Sequence, residues 1–192
     1  QGVATNLREK FLEPLLAQAE DSIDVTSALG GILPFVSAAE LAAKSYGKNL
    51  TTGANLVDVP TTPRFVFNAT NLMTGGLMRF RGDMVAEWRI GQIRNLKLKL
   101  ADVVACSAAF PPFLSPFEID LTGGVIETDA NATLSRPPFT KKAVLTDGGV
   151  YDNMGTEAVW KRYRTVFVSN AGKPFAQDET PAHDWLRHSL RV

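Results

Sequence analysis

The chain has 192 residues and a mass of 20.8 kDa, enough for one globular domain with a substantial core and too short for two comfortable ones. Hydrophobic residues at 45% and charged residues at 21% match soluble globular proteins, and 20 basic against 20 acidic residues leave no net field to draw in nucleic acid or an anionic membrane from a distance. Cys106 is the single cysteine, which excludes an internal disulfide and fits a reducing compartment, and no apolar run is long enough to span a bilayer.

No basic segment followed by an apolar core opens the sequence, so no signal peptide is visible. The first residue is Gln1 rather than Met, and the expectation is that further sequence, with any localisation signal, precedes it.

Leu7, Phe11, Leu12, Leu15, Leu16 and Ala19 fall at the spacing of an amphipathic helix. Pro14 interrupts it, which predicts a kink or two short helices. Val25 to Pro34, with Gly30-Gly31 inside, reads as a loop. Ser37-Ala38-Ala39-Glu40 has the form of a capping box, and an Ala-rich helix should run from there to Tyr46 and stop at Gly47.

The period then changes. Arg64 to Thr70 is short, aromatic and β-branched, and reads as a buried strand. Gly75-Gly76 opens a second strand in which Leu77, Arg79 and Arg81 alternate with Met78 and Phe80. Leu96 to Ala109 returns to helix, ended by Pro111-Pro112. Phe117 to Leu121 and Val125 to Thr128 are expected to form a hairpin around Gly123-Gly124. Lys142 to Thr146 is a strand, Thr156 to Tyr163 a short helix, and Thr165 to Ser169 a buried-type strand. Strands interspersed with helices in this way predict a three-layer α/β sheet.

The most informative segment is Ala143 to Asn153. An apolar strand delivers Asp147 at its C-terminal end, and Gly148 and Gly149 follow at once. Ligands of open α/β sheets bind beyond the carboxyl ends of the strands, and glycines there leave the carboxylate uncovered. Asp147 could orient a base, act as the base, bind a metal, or simply cap the following turn.

The remaining candidates are weaker. Ala43-Lys44-Ser45-Tyr46-Gly47 is a near miss to Gly-x-Ser-x-Gly, but a nucleophile elbow needs a strand before its serine, whereas a capped helix leads to Ser45. Cys106-Ser107 reads as tight helix packing rather than a nucleophile. His183 and His188 are five apart, a poor same-face spacing for a metal. Asp147 and Asp152 lack a third ligand, and Asp152-Asn153 is read as the cap of the next helix. No metal site is expected. Trp88 and Trp160 read as packing aromatics, and Trp185 as part of an amphipathic turn.

Three blocks together resemble bacterial patatin-like proteins. They are Phe65 to Gly75, Ala105 to Phe113, and Leu145 to Gly155 with its Asp147-Gly148-Gly149. The resemblance covers most of the chain from about Arg64 onward. It implies a patatin-like three-layer α/β sandwich, present as a single partial domain over 1–192. It further implies a lipid acyl hydrolase with a Ser–Asp dyad, in which Asp147 takes the serine proton and glycine-rich amides hold the oxyanion. The implied substrates are fatty-acyl esters, no cofactor is required, and no nucleic-acid partner is expected. The location stays open, with a cytoplasmic or membrane-peripheral bacterial protein as the favoured expectation.

The departure from the family pattern is large. No serine of the chain has glycine at both −2 and +2, and the glycine-rich oxyanion loop is absent. The expectation is that both lie upstream of Gln1, so that this chain is the aspartate half. Two rival readings stay open: a natural truncation acting as a non-catalytic binding or assembly module, and a site completed by the missing half as a separate chain.

Overall fold

The sheet is built outward from one hairpin. Strand β1 (Phe67–Asn71) pairs antiparallel with β2 (Gly76–Arg81), Phe67 opposite Phe80 and Asn71 opposite Gly76. Gly75 makes the reversal with φ +68, which a side chain would resist. Strands β3 (Met84–Glu87) and β4 (Gly91–Arg94) continue the meander. Later in the chain come β5 (Phe117–Asp120), β6 (Val125–Glu127) and β7 (Lys142–Asp147). The computed structural model describes residues 5–20, 38–112 and 114–170, and its seven strands form one sheet in the order β5-β7-β1-β2-β3-β4-β6 with every neighbouring pair antiparallel.

Alternation along these strands sets the core. Ala69, Met78, Phe80, Val85, Ile93, Phe117, Ile119, Ala143 and Leu145 fall on one face of the sheet by register and are all buried. Helix α3 (Leu100–Ser107) lies on that face, contributing Val103, Ala105 and Cys106 to the same cluster. Helix α2 (Ala38–Asn49) packs on α3 through Ala39, Ala42 and Ala43, whose small side chains permit a close approach. Helix α1 (Glu13–Glu20) packs on α2 in turn. The short helix α4 (Gly149–Asp152) packs against β1, β2 and β7 and meets Thr70, whose register places it on the opposite face. Helices therefore lie against both faces of the sheet, the short α4 chiefly against β1, β2 and β7, which is consistent with a partial three-layer α/β domain.

The break at Pro14 takes a specific form. Residues Arg8–Leu12 wind as a π-helical turn before α1 begins at Glu13, because Pro14 has no N–H to donate to the preceding turn. Leu7, Phe11, Leu12, Leu15 and Leu16 remain exposed, and the buried residue of α1 is Gln18.

Several expectations are corrected. Helix α2 runs through Gly47 to Asn49, and the chain reverses at Thr52 and Gly53, which carry φ of +44 and +83. Packing on Ala101, 3.6 Å from where a Cβ on Gly47 would sit, holds the helix past its weak point. Strands β5 and β6 do not form a hairpin. Strand β5 pairs with β7, Phe117 opposite Leu145, while β6 pairs with β4 at the other edge. Thr156 to Tyr163 forms successive turns rather than a helix, and Thr165 to Ser169 is not a strand, with Phe167 96% exposed. The Val25 to Pro34 loop, Ser37, Phe113, His183, Trp185 and His188 lie outside the described residues. Among the described residues no helix is long and apolar enough to cross a membrane.

Candidate active site around Asp147

Strand β7 is held in the sheet by Ala143 and Leu145, both completely buried, and it carries Asp147 at its end. Strand β1 flanks it throughout, with Ala69 opposite Asp147. On the other side β5 stops at Leu145. Beyond that point the segment following α3 takes over. The Asp147 N–H donates to the Ala109 carbonyl at 3.0 Å and the Gly148 N–H to the Ser107 carbonyl at 3.2 Å. The Thr146 hydroxyl also donates to Ala109, at 2.8 Å. Asp147 thus sits where β5 has left the sheet, with its backbone fixed from both sides.

The third contact comes from β1. The Thr70 hydroxyl donates to the Asp147 carbonyl at 2.7 Å and accepts from the Tyr151 N–H at 3.1 Å. A Cβ on Gly148 would lie 2.5 Å from the Asn68 carbonyl oxygen, so the turn closes against β1 only because residue 148 has no side chain. The three sequence blocks, Phe65 to Gly75, Ala105 to Phe113 and Leu145 to Gly155, therefore converge at Asp147.

The carboxylate itself is half-buried. Its Oδ1 accepts the Gly149 N–H at 2.6 Å, an Asx-type turn. Its Oδ2 accepts no hydrogen bond among the described residues and is left for another donor. One oxygen anchored and one unengaged is the geometry of a carboxylate able to take a proton at a fixed position.

The other candidates are placed elsewhere. Cys106 is fully buried, its thiol donating to the Val103 carbonyl at 3.1 Å, and burial with Asp102 nearby pushes its pKa far above the ordinary value. It is a packing residue. Ser45 lies within α2, exchanges hydrogen bonds with Gln18 and accepts one from the Asn49 amide. Asp152 accepts from the Glu157 N–H at 2.6 Å and the Thr156 hydroxyl at 3.2 Å, capping the turns that follow. No group of three His, Cys, Asp or Glu among the described residues could hold a metal ion.

Sequence reasoning did not single out Asn68, Thr70, Ser107 and Ala109 as the supports of this turn. The signal was their membership in the same blocks as the aspartate. Thr70 in particular is a polar residue only 6% exposed.

A model of the patatin-like phospholipases matches residues 5–160. Comparison with curated proteins gave no match, and comparison with solved structures gave none. The family match spans most of the chain and includes all three convergent blocks as far as Gly155, and on it the chain belongs to the patatin-like phospholipase family.

Proposed function

We propose that Asp147 is the general base of a Ser–Asp dyad that hydrolyses acyl esters of lipids, with the serine supplied from outside these 192 residues. The observation that carries this reading is the carboxylate geometry: Oδ1 is held by Gly149 at 2.6 Å while Oδ2 accepts no hydrogen bond among the described residues. Gly148 and Gly149 shape the turn.

In this mechanism Oδ2 accepts the serine proton as the hydroxyl oxygen adds to the ester carbonyl. Collapse of the tetrahedral intermediate expels the alcohol, which takes that proton from Asp147. Water then adds to the acyl-enzyme, giving its proton to the same oxygen, and the acid leaves as the serine is reprotonated. The amides that stabilise the oxyanion would come with the serine segment. No cofactor enters the cycle. On this reading a serine-bearing segment completes the site, either within a longer chain or as a separate one.

The test is hydrolysis of a nitrophenyl acyl ester by the protein joined to its serine segment. Asp147→Asn should lower kcat by about 10²–10⁴-fold, the usual contribution of a positioned base. A loss below tenfold would remove Asp147 from the chemistry. The 192-residue chain alone should be inactive, and hydrolysis by it that Asp147→Ala abolishes would overturn that expectation. If the completed, folded protein cleaves no ester, the non-catalytic binding or assembly module is the correct reading.

A further inference from the structure

On the face of the sheet opposite α3, a cavity of about 260 Å3 lies between β2, β3 and β4 and the turns that follow Thr156. Its floor is a cross-strand ladder in which Arg79 stands opposite Ala86 and Ala86 opposite Gln92, with Arg81 opposite Met84 beside it. Arg162 from the Thr156 turns and Arg64 from the approach to β1 bring the arginines that line the cavity to four, and no Asp or Glu among the described residues lines it.

None of the four forms an ion pair among the described residues. Arg81 Nη2 reaches the Met84 sulfur at 3.8 Å, and Arg162 Nη1 donates to the Ala158 carbonyl at 2.7 Å. Most of their donors therefore remain unspent. Burial first, and then the Arg162 charge and a smaller push from Arg81, hold the Arg79 pKa below the usual arginine value, against the opposing charges of Glu157 and Glu87. Gathering like charges around a half-buried arginine is unfavourable unless something neutralises them. In a chain whose net charge is zero this concentration is local.

We infer that this cavity binds a phosphomonoester-type anion, either free phosphate or the headgroup of an acidic phospholipid. A tetrahedral dianion offers several oxygens to several planar guanidinium forks at once, and Arg meets such oxygens in bidentate pairs. Ala86 keeps the floor low, while Gln92 and Tyr163 add neutral donors at the wall. The inference is independent of the role given to Asp147, because it is read by binding rather than by hydrolysis.

The experiment compares thermal unfolding of the protein in sodium phosphate and in sodium chloride at equal ionic strength, followed by calorimetric titration with inorganic phosphate. Phosphate should raise Tm by several degrees over chloride. Arg64 and Arg162 are exposed, so Arg64→Gln and Arg162→Gln should fold normally by circular dichroism while each weakens phosphate by about tenfold. Lys141→Gln, an equal charge change away from the cavity, should leave binding unaltered.

Sedimentation with phosphatidylcholine vesicles, with and without phosphatidic acid, separates the two sources. Binding to the acidic vesicles alone, lost in Arg162→Gln, identifies a lipid headgroup. Phosphate binding without sedimentation identifies the free anion. Equal Tm in phosphate and chloride with no acid-dependent sedimentation overturns the proposal, as does wild-type binding by the Arg64→Gln, Arg162→Gln double variant.

Discussion

Thr70 and Asp147 are joined across 77 positions of sequence by one hydroxyl group, which donates to the Asp147 carbonyl at 2.7 Å and accepts from the Tyr151 N–H at 3.1 Å. The bridge links three things: the C-terminal part of β1, the end of β7, and the short helix α4 that follows. Thr70→Val keeps the shape and removes the bridge, leaving a carbonyl and an N–H without their partner. The expected loss is about 1–3 kcal/mol of unfolding free energy, measured by urea denaturation. Thr70→Ser should retain more of the stability than the valine variant. A valine variant within experimental error of wild type would mean water replaces the hydroxyl without cost.

Gly148 is tested by its own contact. Its φ of −60 suits any residue, so the reason for glycine is not backbone conformation but the Asn68 carbonyl, 2.5 Å from a Cβ at this position. The obstacle is backbone in a paired strand and cannot swing aside. Gly148→Ala should destabilise by about 1–3 kcal/mol, the usual range for forcing extra volume into a packed site. The urea midpoint is again the readout. If the midpoint does not move, the turn and β1 are not held as closely as described.

The sequence made the Asp147 turn legible because every part of its signal is local: an apolar strand, a polar end and two glycines. It could not reveal what holds that turn, because Thr70, Ser107 and Ala109 act from far away in sequence. The β5–β6 reading failed for a related reason. Gly123-Gly124 supplies turn chemistry, but Phe117 and Ile119 find their burial opposite Leu145 and Ala143 on β7. Of β6, only Ile126 is partly buried, opposite Ile93. Val166, Phe167 and Val168 have the composition of a strand, yet strand propensity describes fit to a half-buried surface and does not supply the neighbour. The arginine cavity was half visible, since Arg79 and Arg81 share one face of β2, but Arg64 and Arg162 join them only through the fold.

Cys106 gives a prediction about protection. The thiol is fully buried, hydrogen-bonded at 3.1 Å to Val103, and held protonated by desolvation with Asp102 adding to the effect. Reaction requires both exposure and a thiolate. Iodoacetamide at mildly alkaline pH should modify the native protein more than ~100-fold more slowly than the urea-unfolded chain, since it must wait for opening of α3 from the sheet. Rapid labelling of the folded protein would contradict the packing of α3 on β1 and β7.

Asp152 makes stability depend on pH in a definite direction. Burial alone would raise its pKa, but the Glu157 and Thr156 amides and the Thr156 hydroxyl outweigh that and hold it below the usual carboxylate value. A carboxyl whose folded pKa is depressed stabilises the folded state fully above its unfolded pKa, near ~4, and loses that contribution as pH falls through the folded value. Asp152→Asn keeps a carbonyl acceptor and removes the charge. Its deficit relative to wild type, followed as Tm against pH, should therefore be greatest near neutrality and shrink as the pH drops below ~4. The turns that Asp152 caps carry Ala158 and Arg162, so the same variant should also weaken phosphate at neutral pH without touching the cavity. A deficit that stays constant with pH would show that the Asp152 hydrogen bonds act as neutral contacts and that its charge contributes nothing to holding the turns.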